Sequence, residues 1–478
     1  IWYLLRRFYL RAILIETKNK IFASADHCKS VSLFYNQKNF KISNKVKRIQ
    51  NKKKNLEIEK NYSFELLKSG YMSSNRTIFL NVKQLRAGEA LIYNKKSNRL
   101  TTKKYFNYLP DSKNTKQEID LLKIHEKILN EEFLRIIKKN KDKLILVPLS
   151  GGLDSRLIIS KLTELGHKRI IAFSYGPKDS FEVKIAKRVC KILSIKWIYI
   201  NQNSKDYKNY FNSKKIIKFW KFCDFYSTLP NNQDLLAIDY LKSKKIIDRN
   251  SIIINGQTGD FITGGHIPKS LIGYKIKKDI LFKEIIKKHY SLLEFESKNK
   301  INLKNNIKKI FNNIDKKITA LATLYEYWEY EERQSKFIIG GQRVYDFYDL
   351  QWELPFWSYS YVNFWKNVPY KFKINQHLYK TYLEKYDYKG LFTSIKIKNQ
   401  GWSLFHRYWV KPISIFCKYI LGKKIQKDFL AFAKYFDRFS YYYSAYGIRE
   451  FLKNYKKLRN PNSLFVIKWV KLINEEFK

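Results

Sequence analysis

Leu144-Ile145-Leu146-Val147-Pro148-Leu149-Ser150-Gly151-Gly152-Leu153-Asp154-Ser155 is the stretch from which the rest of the chain is read. Its apolar run predicts a buried strand, and Leu157, Ile158, Leu162 and Leu165 then recur at helical spacing until Gly166 supplies a stop. The order is strand, turn, helix. Gly151 and Gly152 let the backbone turn tightly and bring bare N–H groups against a ligand, while Ser150 and Ser155 add hydroxyls at the positive end of the helix. Such a cradle suits phosphate. Asp154 fits an anion cradle only with a cation between it and the phosphates, and hard oxygen donors of this kind suit magnesium. The stretch therefore predicts a Mg-nucleotide site. No Lys follows the glycines, which excludes the ordinary Gly-Lys-Ser/Thr phosphate loop.

The 478 residues leave room for two or three domains of about 100 to 200 residues each. The 94 Lys and Arg against 42 Asp and Glu give a formal charge of +52, which on its own points to nucleic acid or an anionic membrane. Lysine is spread along the whole chain with Asn, Ile and Tyr and no recognition motif accompanies it, so a solvated basic surface is expected and no specific nucleic acid. The runs Lys52-Lys53-Lys54 and Lys308-Lys309 read as exposed loops or helix faces. A homodimer, and peripheral contact with an anionic membrane, are both compatible with the charge and the 17% aromatic content. Cys28, Cys190, Cys223 and Cys417 are too widely separated for a disulfide framework or paired metal ligands, and a cytoplasmic protein is expected. Arg6, Arg7 and Arg11 interrupt the apolar residues from Ile1 to Ile15, which supports neither a signal peptide nor a spanning helix.

Residues 1 to about 110 read as β-rich: Ala12–Thr17, Lys20–Ser24, Val31–Tyr35, Thr77–Phe79 and Leu85–Tyr93 are short β-prone runs, and Tyr105-Phe106 closes the series. Pro110 to Lys116 is a polar linker, and Glu118 to Ile137 carries a helical repeat. After the first strand-turn-helix come a second strand, Arg169–Gly176, a helix opened by a capping box of Asp179 and Glu182, and a third strand, Trp197–Ile200. This alternation predicts a parallel sheet with helices on both faces and ligands at the strand ends, where Ser174 and Gly176 would border the adenine. A second buried strand meets a glycine-rich loop at Ser251-Ile252-Ile253-Ile254-Asn255-Gly256-Gln257-Thr258-Gly259-Asp260-Phe261-Ile262-Thr263-Gly264-Gly265. From about 270 to 340 the chain reads as helical, with Trp328, Tyr330 and Trp352 as core.

The segment from Ser150 to Ser155 resembles the pyrophosphate loop of the ATP pyrophosphatases, and its flanks are most similar to the asparagine synthetase family. That resemblance implies an α/β domain of the adenine nucleotide alpha hydrolase type over residues 117–400. A partial glutaminase-like, Ntn-type β domain over 1–112 would precede it, with an aromatic, basic helical tail over 401–478 packed on the synthetase domain. The second loop resembles the family's Ser-Gly-Glu-Gly-Ser-Asp-Glu-x-x-Gly-Gly, which implies that Gly256 borders the nucleotide and Asp260 shares magnesium with Asp154. Gln257 and Phe261 replace the family's two glutamates.

Gln351–Ser358 resembles the family's Glu-x-Arg-x-Pro-Phe-Leu-Asp; Gln351 replaces the glutamate thought to assist ammonia attack, and Glu353 is the nearest carboxylate to stand in as base. Lys380 falls where the family has a lysine that would stabilise the departing pyrophosphate. The family's glutaminase uses an N-terminal cysteine; the sequence starts at Ile1 and Cys28 is internal, so either an N-terminal portion is absent or the domain is a non-hydrolysing remnant. The implied activity is ATP- and Mg2+-dependent adenylation of a carboxylate followed by ammonia transfer, with ammonia free or from a separate glutaminase. Aspartate is the default acceptor. The alternatives are another small-molecule carboxylate, such as a uronic acid of a surface polysaccharide, and a non-catalytic nucleotide-binding remnant.

Overall fold

The apolar run before the Ser-Gly-Gly turn forms the middle strand of a parallel sheet. The computed structural model describes residues 12–49, 57–59, 62–110, 115–223, 226–273, 278–294, 299–311, 314, 320–395 and 403–477. The opening residues, the Lys52-Lys53-Lys54 run and most of the expected linker lie outside the described residues.

In the N-terminal region β1 (Ile13–Glu16), β2 (Lys20–Ser24), β6 (Glu89–Asn94) and β7 (Arg99–Lys104) form an antiparallel sheet in the order β1-β2-β6-β7. Strands β3 (Phe34–Asn36), β4 (Lys41–Ser43) and β5 (Val82–Gln84) form a second, ordered β4-β3-β5. Three expected runs differ. That from Leu85 becomes strand only at Glu89. Thr77–Phe79 bends, with the Thr77 hydroxyl donating to the carbonyls of Phe79 and Val82, and keeps only an isolated bridge from Phe79 to Ile58, while the run from Val31 becomes strand only at Phe34. The chain leaves β7 through Tyr105-Phe106, where Gly88, at φ +61°, lets the two backbones close on each other.

Helix α1 (Glu118–Lys139) leads into β8 (Ile145–Pro148), α2 (Leu153–Glu164), β9 (Ile170–Gly176), α3 (Phe181–Leu193) and β10 (Lys196–Asn201). With β11 (Ile252–Ile254) and β12 (Gln351–Glu353), the strands make an all-parallel sheet ordered β10-β9-β8-β11-β12. The expected parallel sheet is therefore present. The capping box is not: the α3 N-cap is Ser180, whose hydroxyl accepts from Val183 N, which puts Glu182 one position too early to reciprocate.

Side chains alternate between the two faces of a strand, and the core records the alternation. Ile145, Val147, Ile170, Ala172, Ile252 and Ile254 pack with α1, α2 and α3 on one face. Leu146, Phe173, Ile200 and Ile253 pack on the other, in a cluster that also holds Phe34 and Leu66 from the N-terminal region and Tyr446, Phe465 and Trp469 from the C-terminal helices. One apolar core thus joins all three stretches of the chain to the same sheet. Strands β9 and β10 extend one way from β8, and β11 and β12 the other. The end of β8 is accordingly a switch point, where loops diverge and leave a crevice.

Candidate active site

Both glycine-rich loops end at that crevice. It opens into a cavity of about 660 Å³ lined by Ser150, Asp154 and Ser155 from the first loop, Gly256 and Asp260 from the second, and Arg333 from the helical segment that follows. The size suits a nucleotide with a second small substrate. Gly151 turns at φ +75°, a conformation that favours glycine, and an added Cβ would meet Ile185 at 2.8 Å. The fully buried Arg156 guanidinium donates to the Gly151 carbonyl at 2.6 Å and to the Leu391 carbonyl at 2.9 Å, which fixes the turn from behind. At the front, Ser150 Oγ and Ser155 Oγ lie 3.2 Å apart and Ser150 Oγ accepts from Gly152 N at 3.3 Å.

The second loop lies directly against Asp154. A Cβ on Gly256 would meet Asp154 Cβ at 2.9 Å, and one on Gly259 would meet its carboxylate at 2.4 Å. Glycine at both positions is what lets the backbone of the second loop approach Asp154. Tyr379 Oη donates to Asp154 Oδ1 at 2.8 Å. Burial, and then the neighbouring charge of Asp260, push the Asp154 carboxyl up to about 7. Burial acts the same way on Asp260, but the hydrogen bond and charge of His266 outweigh it and hold that group below its ordinary value. His266 Nε2 lies 2.9 Å from Asp260 Oδ2, and its Nδ1 is 2.5 Å from the buried Glu329.

Other expected site residues fall differently. Ser174 lines the cavity, but its hydroxyl donates to the Leu149 carbonyl at 2.6 Å and accepts from Trp197 Nε1 at 3.1 Å, so its hydrogen bonds go to the sheet. Gly176 is not among the lining residues; its φ of +117° turns the chain out of β9 beneath Tyr441. Glu353 also lies outside the cavity, with its carboxylate paired to Lys139 at 2.5 Å and Arg135 at 3.2 Å. Gln351, on the same face of β12, accepts from Lys143. Both therefore face α1 and its end. Lys380 is exposed and donates to the Asn375 carbonyl. It misses the site because successive helical residues differ by about 100° in direction, and Tyr379, one residue earlier, takes the inward position.

The replacements in the second loop have local causes. Phe261 is fully buried against Tyr108 and Tyr330, and Gln257 Oε1 accepts from Gln342 Nε2 at 2.5 Å in neutral surroundings. Thr258, a β-branched residue at φ +77°, is held by its hydroxyl donating to Gln334 at 2.7 Å.

Sequence reasoning missed Tyr379, Arg156, His266 and the Glu329–Arg333 pair. The last had a signal: Glu326, Glu329, Glu331 and Glu332 crowd into seven residues of a strongly basic chain. All four are buried, and each has a cationic partner within 4 Å.

The family model for asparagine synthase matches residues 139–387, slightly more than half of the chain and a span that contains both glycine-rich loops. Fold and site together define an ATP-utilising, amide-forming ligase of the parallel-sheet type. The chain belongs to the asparagine synthase family. A comparison with solved structures finds similarity to the NH3-dependent NAD synthetase from Campylobacter jejuni, at 20% identity over 44% of this chain and 93% of that one, with a TM-score of 0.22. A search of curated proteins finds no match.

Proposed function

We propose that this protein adenylates a carboxylic acid with ATP and transfers ammonia to the activated acyl group. The observation that carries the reading is the convergence of Asp154 and Asp260, from two glycine-rich loops, beside the Ser150 and Ser155 hydroxyls at the sheet's switch point. Asp154, whose carboxyl feels the Asp260 charge, and Asp260 line the same cavity and are the residues that would hold a divalent cation. Magnesium is the proposed cation, because it binds through one or two carboxylates and completes its shell with phosphates and water. When bound, the ion would neutralise charge on the phosphates.

In this reading the first loop's N–H groups and hydroxyls hold the β- and γ-phosphates, and Tyr442 and Phe465, on the cavity wall, border the base. The acceptor carboxylate attacks the α-phosphorus, the α–β bridge breaks and pyrophosphate leaves. Ammonia then attacks the acyl carbon, sheds a proton and expels AMP. The protein's contribution is positioning and charge complementarity rather than covalent catalysis. Pyrophosphate exchange into ATP, dependent on the acid, tests it. Exchange that falls by about a hundredfold or more in Asp154→Asn agrees with the reading; exchange unaffected by that change contradicts it.

The cavity wall bears on the acceptor. Asn231, Asn232, Gln233, Gln257, Asn460 and Asn462 line it with neutral amides, which donate to and accept from hydroxyl groups. Arg333 and Lys288 line a smaller adjoining cavity of about 110 Å³ and supply positive charge beside it. A hydroxyl-rich acid such as a uronic acid suits those amides, while the carboxylates of Glu182 and Asp234 on the same wall keep aspartate, with its ammonium group, as the other candidate acceptor. Ammonia, free or from a separate glutaminase, is the proposed nitrogen donor; Cys28 is buried, and burial with the Asp26 charge holds its thiol protonated.

A further inference from the structure

Residues 404–421 form a helix with wide π-type turns at either end, His406–Val410 and Cys417–Leu421, followed after Gly422 by a second helix, Lys423–Ala433. Its polarity is inverted. Val410, Ser414 and Cys417, at spacings of four and three, form the narrow buried stripe that meets the rest of the protein. The large side chains point outward: Trp409 is 66% exposed, Phe416 60%, Tyr419 75% and Ile420 67%, and Leu404 and Ile413 are exposed beside them. Such a concentration of bulky apolar groups on one helix marks a surface that meets a partner.

The charge on this segment decides among partners. Between Ser403 and Lys427 the sequence has no Asp or Glu, whereas Arg407, Lys411, Lys418, Lys423 and Lys424 are basic and exposed; Lys427, also exposed, pairs with Glu294. A second copy docked through this face by two-fold symmetry would set the cationic strip against itself. Nucleic acid would satisfy the cations and could stack on the aromatic rings, but it offers nothing to Leu404, Ile413, Ile420 and Leu421. An anionic bilayer satisfies both halves of the pattern. Its headgroups take the lysines and arginines, its acyl region takes the aliphatic side chains, and Trp and Tyr sit at the boundary between them.

We propose that the helix over 404–421 is a monotopic docking element that seats this protein on an anionic lipid surface. No helix among the described residues is long and apolar enough to cross a membrane, so attachment through this element would be peripheral. The proposal is independent of the ligase reading: loss of docking leaves pyrophosphate exchange in solution intact.

Sedimentation of the full chain with vesicles tests it. Vesicles of phosphatidylcholine with phosphatidylglycerol are expected to carry the protein down and pure phosphatidylcholine vesicles to leave it in solution, with binding weakened by added salt. Trp409→Glu with Phe416→Glu is expected to weaken binding by roughly tenfold or more. Leu134→Glu, at an exposed leucine on α1, is expected to leave it unchanged, with all variants checked for an unaltered thermal melt. Equal binding to both vesicle types, or no loss in the Trp409/Phe416 variant, overturns the proposal. So does a wild-type protein that ignores vesicles yet self-associates through this face, or binds an oligonucleotide through it.

Discussion

The contact between Asp154 and the second loop is the tightest constraint at the level of single residues. Gly259→Ala would drive a methyl group to 2.4 Å from the Asp154 carboxylate carbon, so the carboxylate or the loop must move. A displacement of this size at the carboxylate proposed to hold magnesium is expected to lower turnover by about a hundredfold, with the melting temperature little changed because the site faces the cavity. Steady-state kinetics beside a thermal melt checks both halves.

His125 makes a different prediction. Its ring is fully buried among Phe364, Trp365 and Tyr382, and neither nitrogen has a hydrogen-bond partner. Burial, with the Lys161 charge, lowers its pKa from 6.5 to about 3, and burial lowers that of His289 by a similar amount. The unfolded chain takes up protons on both rings below pH 6.5 that the folded chain refuses until about pH 3. Their contribution is therefore complete above the unfolded value and is lost as the pH falls. Near pH 5 each ring would cost about 2 kcal/mol. Urea unfolding of His125→Phe across that range is expected to show a shallower loss toward acid than the wild type, while stability near pH 8 stays close.

Among the elements, the helical segment from α4 (Leu321–Trp328) through Gln342 ties the site to its surroundings. Its buried glutamates meet cations from three places: Glu331 pairs with Arg86 and Lys104 of the N-terminal region, Glu329 with His266 beside the second loop, and Glu326 with Lys373. Lys373 in turn packs its backbone on Gly264, whose φ of +94° closes that loop. Both members of the Glu326–Lys373 pair are essentially inaccessible. Lys373→Met leaves Glu326 buried without its partner and is expected to cost about 3 to 5 kcal/mol in urea unfolding. Adding Glu326→Met is expected to restore most of that loss, since a well-packed apolar pair can match a buried ion pair.

Local pattern was enough for some of these elements and not for others. β8, α2 and β9 were legible because an apolar run, a helical repeat and punctuating glycines all agreed at the same positions. The cap of α3 was misplaced by one residue, since Asp179 and Ser180 are both good caps and only the backbone selects between them. The roles of Glu353 and Lys380 turn on direction, not position, and strand pleat and helix phase turned both away from the cavity. The Glu329 cluster was unreadable as chemistry because its partners come from residues far apart in the sequence.

Over the whole molecule, the sheet's second face is covered jointly by the N-terminal region, the middle helices and the C-terminal helices. The cavity proposed as the active site, bordered by Tyr442, Asn460 and Phe465, therefore depends on the far end of the chain as much as on the two glycine-rich loops. The parallel order of the sheet was foreseeable from strand–helix alternation, but this shared covering was not, because apolar residues carry no record of which distant surface they will meet. What remains central is the chemistry at the junction of the two loops. The most direct measurement incubates the protein with Mg-ATP, ammonia and a panel of carboxylic acids that includes aspartate and uronic acids, and resolves the nucleotide products. The account predicts AMP and pyrophosphate in step with amide formation for one class of acid, lost in Asp154→Ala. ADP and inorganic phosphate as products, or ATP bound but unchanged with every acid, would contradict it.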